Sequence, residues 1–113
     1  MAKFLVLYRS SVTASEQMAN PDPEQMKEGM ALWQKWGEKV GKALADWGAP
    51  LGDGRFLPAS SAKSDGGYVG GFSVLQAQSI DEASSLLEDH PHFHAPGASI
   101  EVHEMLPMPG AEM

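Results

Sequence analysis

Residues 68–87 read YVGGFSVLQAQSIDEASSLL, and this stretch decides the fold because it joins a strand directly to a helix. Residues 68–77 are rich in β-forming side chains, which predicts a long strand. Gly70 and Gly71 inside that strand leave space for a bulge or for a large neighbouring side chain. Tryptophans of the helix earlier in the chain are candidates to fill that space.

The helix that follows this strand begins at Ser79. Ser79 can cap the helix, and Glu82 stands in the reciprocal position of a capping box. Pro91 disfavours helical geometry at the residue before it, so we predict that the helix ends near Asp89.

Two further strands lie towards the ends of the chain. In Lys3–Arg9 (KFLVLYR) both alternating sets of side chains are apolar, which is typical of a central strand covered on both faces. In Ser99–Met105 (SIEVHEM), Ile100 and Val102 alternate with polar residues. That alternation is typical of a strand with one solvated face.

The longest periodic pattern predicts a first helix from about Pro23 to Trp47, with Gly48 as its glycine C-cap. Apolar residues at alternating steps of four and three form one stripe, which we expect to pack in the core: Met26, Met30, Trp33, Gly37, Val40, Leu44 and Trp47. Gly37 and Gly41 weaken a helix, so we expect another backbone to approach them closely.

The remaining strand is predicted at Arg55–Leu57, where Pro58 restricts it to a sheet edge. The order strand, helix, strand, strand, helix, strand is the α+β, ferredoxin-like split βαβ pattern, here within a single domain at residues 1–113. Right-handed crossovers place both helices on one face of the antiparallel sheet. The other face would expose a large apolar patch. We therefore expect a homodimer, a dimeric α+β barrel with a cavity between its two sheets.

Composition excludes several classes of function. The 113 residues contain no cysteine, which excludes disulfides and thiolate chemistry. A formal net charge of -7 has the wrong sign for a nucleic-acid or anionic-membrane partner. No apolar run is long enough for a membrane span or a signal peptide, so we expect a cytoplasmic protein. The glycine-rich run is not a phosphate loop, and no cofactor is predicted.

Several runs of the sequence resemble the YCII-related (DGPF) family of small dimeric α+β barrel proteins. They are GGYVGGFSVLQAQSIDEASSLL at 66–87, the pair His90-Pro91, SIEVHEMLPMPG at 99–110, FLVLYRSS at 4–11 and ALADWGAPL at 43–51. The resemblance implies a small homodimer and, for some members, an enzyme that acts on small molecules through a His-Asp pair. The name-giving Asp-Gly-Pro-Phe is half present, as DGGY at 65–68.

The His-Asp pair of that family is not carried over to this chain. In the members that have it, the histidine lies on the first helix, and the aspartate precedes a proline after the second helix. The first helix here has no histidine, and Trp36 or Gly37 stands near that position. The residue before Pro91 is His90, and Asp89 is one place earlier.

All four histidines lie in the last quarter of the chain, at 90, 92, 94 and 103. In an extended segment His90, His92 and His94 would point to the same side, a spacing that metal ligands use. One alternative is a polar helix exit, where the helix C-terminus favours a charged His90. Another is an acid or base role for one histidine.

Glu101 and His103 share one face of the last strand and are the predicted catalytic pair, because a carboxylate that orients an imidazole is a workable general base. They would point into the dimer cavity if the opposite face meets the helices; the alternative is a solvated edge. Arg9 is expected to neutralise a bound carboxylate, unless it is a solvated charge. The predicted ligand-binding residues are Arg9, Tyr8, Ser73 and His90.

The sequence leaves three functions open. The first is a homodimer that binds a small organic molecule in the inter-sheet cavity, with proton transfer as the chemistry available to it. The second is a non-catalytic dimeric scaffold or regulatory partner. The third is a metal-binding protein that uses the C-terminal histidines. Whether the protein is an enzyme stays open at this point.

Overall fold

The structure is a computed structural model that describes residues 1–12, 22–52, 54, 55, 57, 67–95 and 97–107. Its strands are β1 (Ala2–Ser10), β2 (Leu44–Pro50), β3 (Tyr68–Ala77) and β4 (Ser99–Met105). Its helices are α1 (Pro23–Val40) and α2 (Ile80–Ser85), and short 3-10 turns cover Gly41–Ala43 and Pro91–His94.

The four strands form an antiparallel sheet in the order β2-β3-β1-β4. With β1 and β3 in the centre and a helix after each of them, this is the predicted ferredoxin-like α+β fold. The register between the central strands slips at one place. Tyr8 pairs with Gly71, whereas Arg9 pairs with Val69, so Gly70 is the extra residue. The predicted bulge at the glycine pair is therefore confirmed.

Both predicted helix starts are confirmed by their caps. The Asp22 carboxylate accepts hydrogen bonds from the backbone N–H groups of Glu24 and Gln25. The Ser79 hydroxyl accepts one from the backbone N–H of Glu82. These side chains satisfy N–H groups that have no partner within the helix.

The core lies between the helices and one face of the sheet. Its largest cluster joins both central strands to the second half of α1 and to the turn that follows α2: Val6, Tyr8, Trp36, Val40, Leu75 and Leu87. The indole N–H of Trp36 donates to the Leu86 carbonyl at 2.8 Å, which ties α1 to the end of α2. Among the described residues no helix is long and apolar enough to cross a bilayer.

The opposite face of the sheet is only half covered. Leu5 and Leu7 of β1 and Phe72 and Val74 of β3 alternate with the buried core residues and are half-buried. Both described helices pack on the other face. We call this surface, together with Glu101 and His103 of β4, the open face.

The first helix is shorter than its periodicity predicts. α1 ends at Val40, and Gly41, with a φ of 54°, donates its N–H to the Gly37 carbonyl as the C-cap. Leu44 and Trp47 lie in β2 instead. Leu44 packs against the same core cluster from β2. The helical spacing of apolar residues therefore continues past the end of the helix, although the helix itself does not.

The prediction of an edge strand at Arg55–Leu57 is wrong. The edge strand is β2, which pairs with β3. Arg55 and Leu57 lie outside the strands, and Phe56 and Pro58 fall outside the described residues. Gly48 is accordingly a residue within β2, with a φ of 74°, rather than a helix cap.

The chain between α2 and β4 also differs from prediction. α2 ends at Ser85 instead of near Asp89, and residues 86–89 form turns. Asp89 has a φ of 59°, which a helix cannot accommodate. The histidine segment is a 3-10 turn at Pro91–His94 instead of an extended one.

Candidate functional site

A cleft of about 580 Å³ opens between the first half of α1 and one end of the sheet. Its walls are mainly apolar and aromatic, and include Tyr8, Met26, Met30, Trp33, Trp47 and His92. The volume lies within the range of small-molecule sites, which is about 300 to 1,000 Å³. The cleft lies on the helix side of the sheet, whereas the predicted inter-sheet cavity would lie on the open face.

The cleft exists because only the second half of α1 packs on the sheet. Trp36, Gly37 and Val40 are buried, whereas Met26 and Met30 are 45% and 64% exposed. The prediction that both methionines belong to the core is therefore wrong. They lie on the same helix face as the buried residues, but they line the cleft instead of packing in the core.

Trp47 fits against the middle of α1 because residue 37 has no side chain. A β-carbon on Gly37 would overlap the Trp47 ring. A close neighbour at Gly37 is confirmed, but the prediction that it is a backbone is wrong, because the neighbour is the Trp47 indole ring. At Gly41 a β-carbon would meet no described atom within 4 Å, so the same prediction is wrong there. Trp47 itself is half-exposed and forms part of the cleft wall rather than the core.

Glycines form part of the sheet side of the cleft. Gly48 and Gly71 both line it. A β-carbon on Gly48 would overlap the Phe72 carbonyl, and one on Gly71 would lie 3.3 Å from the Ala49 carbonyl oxygen. Larger residues at these positions would separate β2 from β3 and obstruct this side of the cleft.

Tyr8 and Ser73, two of the predicted ligand-binding residues, are joined by a hydrogen bond. The Tyr8 hydroxyl donates to Ser73 Oγ at 2.9 Å, and Ser73 Oγ donates to the Trp47 carbonyl at 2.8 Å. Burial raises the pKa of Tyr8 to about 12, and the bond to Ser73 offsets part of that rise. Tyr8 is thus a neutral phenol that lines the cleft, and Ser73 is fully buried behind it.

His90 lies inside the core, beneath the cleft. Its ring centroid is 4.4 Å from that of Trp36, 4.5 Å from Trp33 and 4.9 Å from Tyr8. Burial, followed by the charge of His92, lowers the pKa of His90 to about 4. The interpretation of His90 as a charged group at a solvated helix exit is therefore wrong.

The tautomer of His90 follows from its contacts. Its Nδ1 accepts the backbone N–H of His92 at 2.9 Å, so the neutral ring carries its proton on Nε2. Nε2 is buried without a hydrogen-bond partner among the described residues. The surrounding aromatic faces offer only weak acceptors for that proton.

His92 is the histidine that reaches the cleft wall. Its Nε2 lies 2.7 Å from the backbone carbonyl oxygen of Arg9. His94, in the same turn, is exposed. The described residues contain no group of three metal-binding side chains, because the turn sends these histidines in different directions.

The predicted catalytic pair lies on the open face, as the strand pattern predicts. Ile100 and Val102 pack towards the core, and His103 Nε2 lies 2.7 Å from Glu101 Oε2. Arg9 Nη1 donates to Glu101 Oε1 at 2.9 Å, so the solvated alternative for Arg9 is wrong. The His103 contact and Arg9 together lower the pKa of the Glu101 carboxyl.

Sequence reasoning missed most of the cleft. Periodicity predicts Trp33, Trp47 and Met30 in the core; Trp33 does pack against the core cluster, but it also lines the cleft. The sequence suggests His92 only as a metal ligand or as one of several acid-base candidates. The signal that was available is the run Gly48-Ala49-Pro50, which keeps the floor opposite the first half of α1 free of large side chains.

Comparisons with protein-family models and with curated proteins find no match. Among solved structures, a similar one is 5-chloro-2-hydroxyhydroquinone dehydrochlorinase from Burkholderia phenoliruptrix AC1100, in complex with 2,5-dihydroxybenzoquinone. The two sequences are 20% identical, and the match covers 97% of this chain and 99% of that chain with a TM-score of 0.53. At this identity the similarity shows a shared fold.

Proposed function

We propose that this protein binds a small, planar, largely apolar organic molecule in the cleft between α1 and the sheet. The observation that carries the proposal is the cleft itself, whose lining combines the partly exposed Trp33 and Trp47 and two exposed methionines with the largely buried Tyr8. Exposed aromatic and thioether groups gathered in one concave surface are typical of a ligand site.

The shape of the cleft favours a flat ring. Tyr8 and Trp33 meet edge to face, with ring centroids 4.9 Å apart and planes at 74°. Because Tyr8 is almost fully covered by its neighbours, the half-buried Trp33 and the half-exposed Trp47 are the ring surfaces against which a ligand ring can pack, by stacking or by an edge contact. Gly48 and Gly71, which line the sheet side of the cleft, have no side chains that would hold a flat molecule away from the sheet.

The structural relative is compatible with this proposal. It is a dehydrochlorinase of a hydroxylated aromatic compound, and its structure contains 2,5-dihydroxybenzoquinone, a six-membered ring. Since the two proteins share their fold, a ring-sized ligand is within what this architecture can hold.

A second candidate is proton transfer in a cavity between the open faces of two copies. The observation in its favour is the contact between Glu101 Oε2 and His103 Nε2, which would orient the imidazole as a general base. Both side chains are substantially exposed in the single chain. This candidate therefore depends on the homodimer that the sequence predicts.

The first candidate is tested by titrating the protein with p-cresol and with methylcyclohexanol, which are similar in size but differ in flatness. We expect p-cresol to bind with about millimolar affinity, as is usual for so small a ligand, and more tightly than the saturated ring. Calorimetry gives both affinities. Trp33→Ala should weaken p-cresol binding between about twofold and tenfold, the range for one aromatic contact.

Leu32→Ala is the matched control, because Leu32 is exposed on the same helix and does not line this cleft. It should leave p-cresol binding unchanged. Met30→Ala is a second cleft variant that spares the core, since Met30 is largely exposed. Equal binding of the flat and saturated rings, or no binding of either, would contradict the proposal, and the latter result would favour the scaffold alternative.

A further inference from the structure

We infer that His92 selects ligands that carry a hydroxyl group, by accepting a hydrogen bond from that group at Nδ1. The inference rests on the proposed function, because it concerns a ligand in the same cleft. The cleft then makes one polar contact with its ligand. That contact restricts the expected class of ligand from flat rings in general to flat rings that carry a hydroxyl group.

The tautomer of His92 is fixed by the main chain. A carbonyl oxygen can only accept a hydrogen bond, so the 2.7 Å contact with the Arg9 carbonyl requires the proton on Nε2 of His92. In the neutral ring the other nitrogen, Nδ1, is then an acceptor. No side-chain rearrangement on Arg9 removes this constraint, because the acceptor belongs to the backbone of β1.

The His92 ring is also fixed in position. The backbone N–H of His92 donates to His90 Nδ1 at 2.9 Å, and its carbonyl accepts the N–H of Ala95 at 3.0 Å. The ring packs against Tyr8 with centroids 5.3 Å apart. Such prior ordering reduces the entropy cost of using the ring as a ligand contact.

The Nδ1 atom of His92 makes no hydrogen bond to any described residue, although its residue lines the cleft. The neighbouring Tyr8 hydroxyl already donates to Ser73, and Ser73 donates onwards to Trp47. Gln34, another polar residue of the wall, is exposed, so water competes for its amide. Nδ1 of His92 is thus an acceptor on a cleft-lining residue with no hydrogen-bond partner among the described residues, and we assign the selectivity to it.

A ligand without a hydroxyl group would displace water from His92 Nδ1 without replacing the hydrogen bond that the water made. Sites that hydrogen-bond a hydroxyl group discriminate strongly against analogues that lack one, because the protein group is left unpaired. The comparison of p-cresol with p-methylanisole tests this effect, since the ether keeps the ring and the oxygen but carries a methyl group in place of the hydroxyl hydrogen. The His92→Ala variant separates the lost hydrogen bond from the added size of the ether.

The experiment measures both affinities by calorimetry in one buffer, at a pH at which the phenol keeps its proton. We expect p-cresol to bind between about twofold and tenfold more tightly than the ether, the range for one net hydrogen bond. His92→Ala should abolish that preference. His92→Asn should restore part of it, because the amide oxygen can occupy the place of Nδ1.

His94→Ala is the matched control, since His94 lies exposed in the same turn. It should keep the full preference. A measurement on the unaltered protein covers the case of a variant that does not fold. At saturation the ¹⁵N resonance of His92 Nδ1 should shift further with p-cresol than with p-methylanisole, because only the phenol donates a hydrogen bond to that atom.

The outcomes separate the two proposals. If the wild-type protein binds the phenol and the ether equally, or if His92→Ala keeps the preference, the inference about His92 is overturned while the cleft proposal stands. If neither compound binds, the proposed function itself fails.

Discussion

His90 is fully buried against Tyr8, Trp33 and Trp36, and this single side chain makes the stability of the fold depend on pH. Its pKa is about 4 in the folded protein and 6.5 in an unfolded chain. Between these values the unfolded chain binds a proton that the folded chain does not. The free energy of unfolding therefore falls as the pH drops from 6.5 to about 4, by roughly 3 kcal/mol in total.

Urea denaturation at several pH values measures this loss. His90→Asn should flatten the slope between about pH 6.5 and 4, because asparagine does not titrate yet can still accept the His92 N–H. His94→Asn, on an exposed neighbour, should leave the slope unchanged. Identical slopes for the wild type and His90→Asn would show that His90 is not the group responsible.

Glu101 acts in a different pH range. Its pKa is lowered by the His103 contact and by Arg9, so its stabilising effect is present above the ordinary carboxyl range and is lost at more acid pH. With a side chain that is 42% exposed, solvent screening keeps this effect small. The two residues can therefore be separated by the pH at which stability is lost.

At the level of elements, the strands β1 and β3 were predictable because each is a run rich in β-forming side chains, and β4 was predictable because its apolar and polar residues alternate. The predicted ranges Tyr68–Ala77 and Ser99–Met105 match the structure, and β1 extends the prediction by one residue at each end. The end of α1 was not predictable from periodicity. Leu44 keeps the helical spacing beyond Gly41 because it packs against the same core from β2.

The cleft was not predictable for a related reason. Periodicity shows which way Met26, Met30 and Trp33 point, but not how far the sheet lies from them. We attribute that distance to the packing of Trp47 beside Gly37. Gly37 lies in α1 and Trp47 in β2, whereas periodicity predicts both in a single helix.

The contact between Gly37 and Trp47 gives a test at this scale. Gly37→Leu should destabilise the fold by about 1 to 3 kcal/mol through overpacking against the indole. Gly29→Ala is the matched control in the same helix, because a β-carbon there meets no described atom within 4 Å. It should stabilise by about 0.5 to 1 kcal/mol through helix propensity. Thermal unfolding measures both, and an unchanged melting temperature for Gly37→Leu would contradict the packing role.

At the scale of the whole molecule, the open face is what leads us to expect a homodimer. Leu5, Leu7, Phe72 and Val74 form a half-exposed apolar strip across the two central strands. Light scattering at micromolar concentration should give twice the monomer mass of 12.1 kDa. Val74→Lys places a charge in the strip and should shift the mass towards that of the monomer, because an interface core excludes unpaired charge.

Glu104→Lys introduces the same side chain at an exposed position on the outer strand β4, on the helix-facing side, and should leave the dimer intact. A monomer mass for the wild type throughout the micromolar range would refute the dimer. It would also remove the inter-sheet cavity in which Glu101 and His103 were predicted to act.

The most direct test of the central claim is to map where a flat ring binds, by recording ¹H–¹⁵N spectra of the protein during a titration with p-cresol. The cleft lies on one face of the sheet, and Glu101 and His103 lie on the other, so the two candidate sites give different patterns. We predict shifts at the backbone amides of Gly29 and Gly71 and at the indole N–H of Trp33. Shifts confined to Leu7, Glu101 and His103 would contradict the account and place the ligand on the open face.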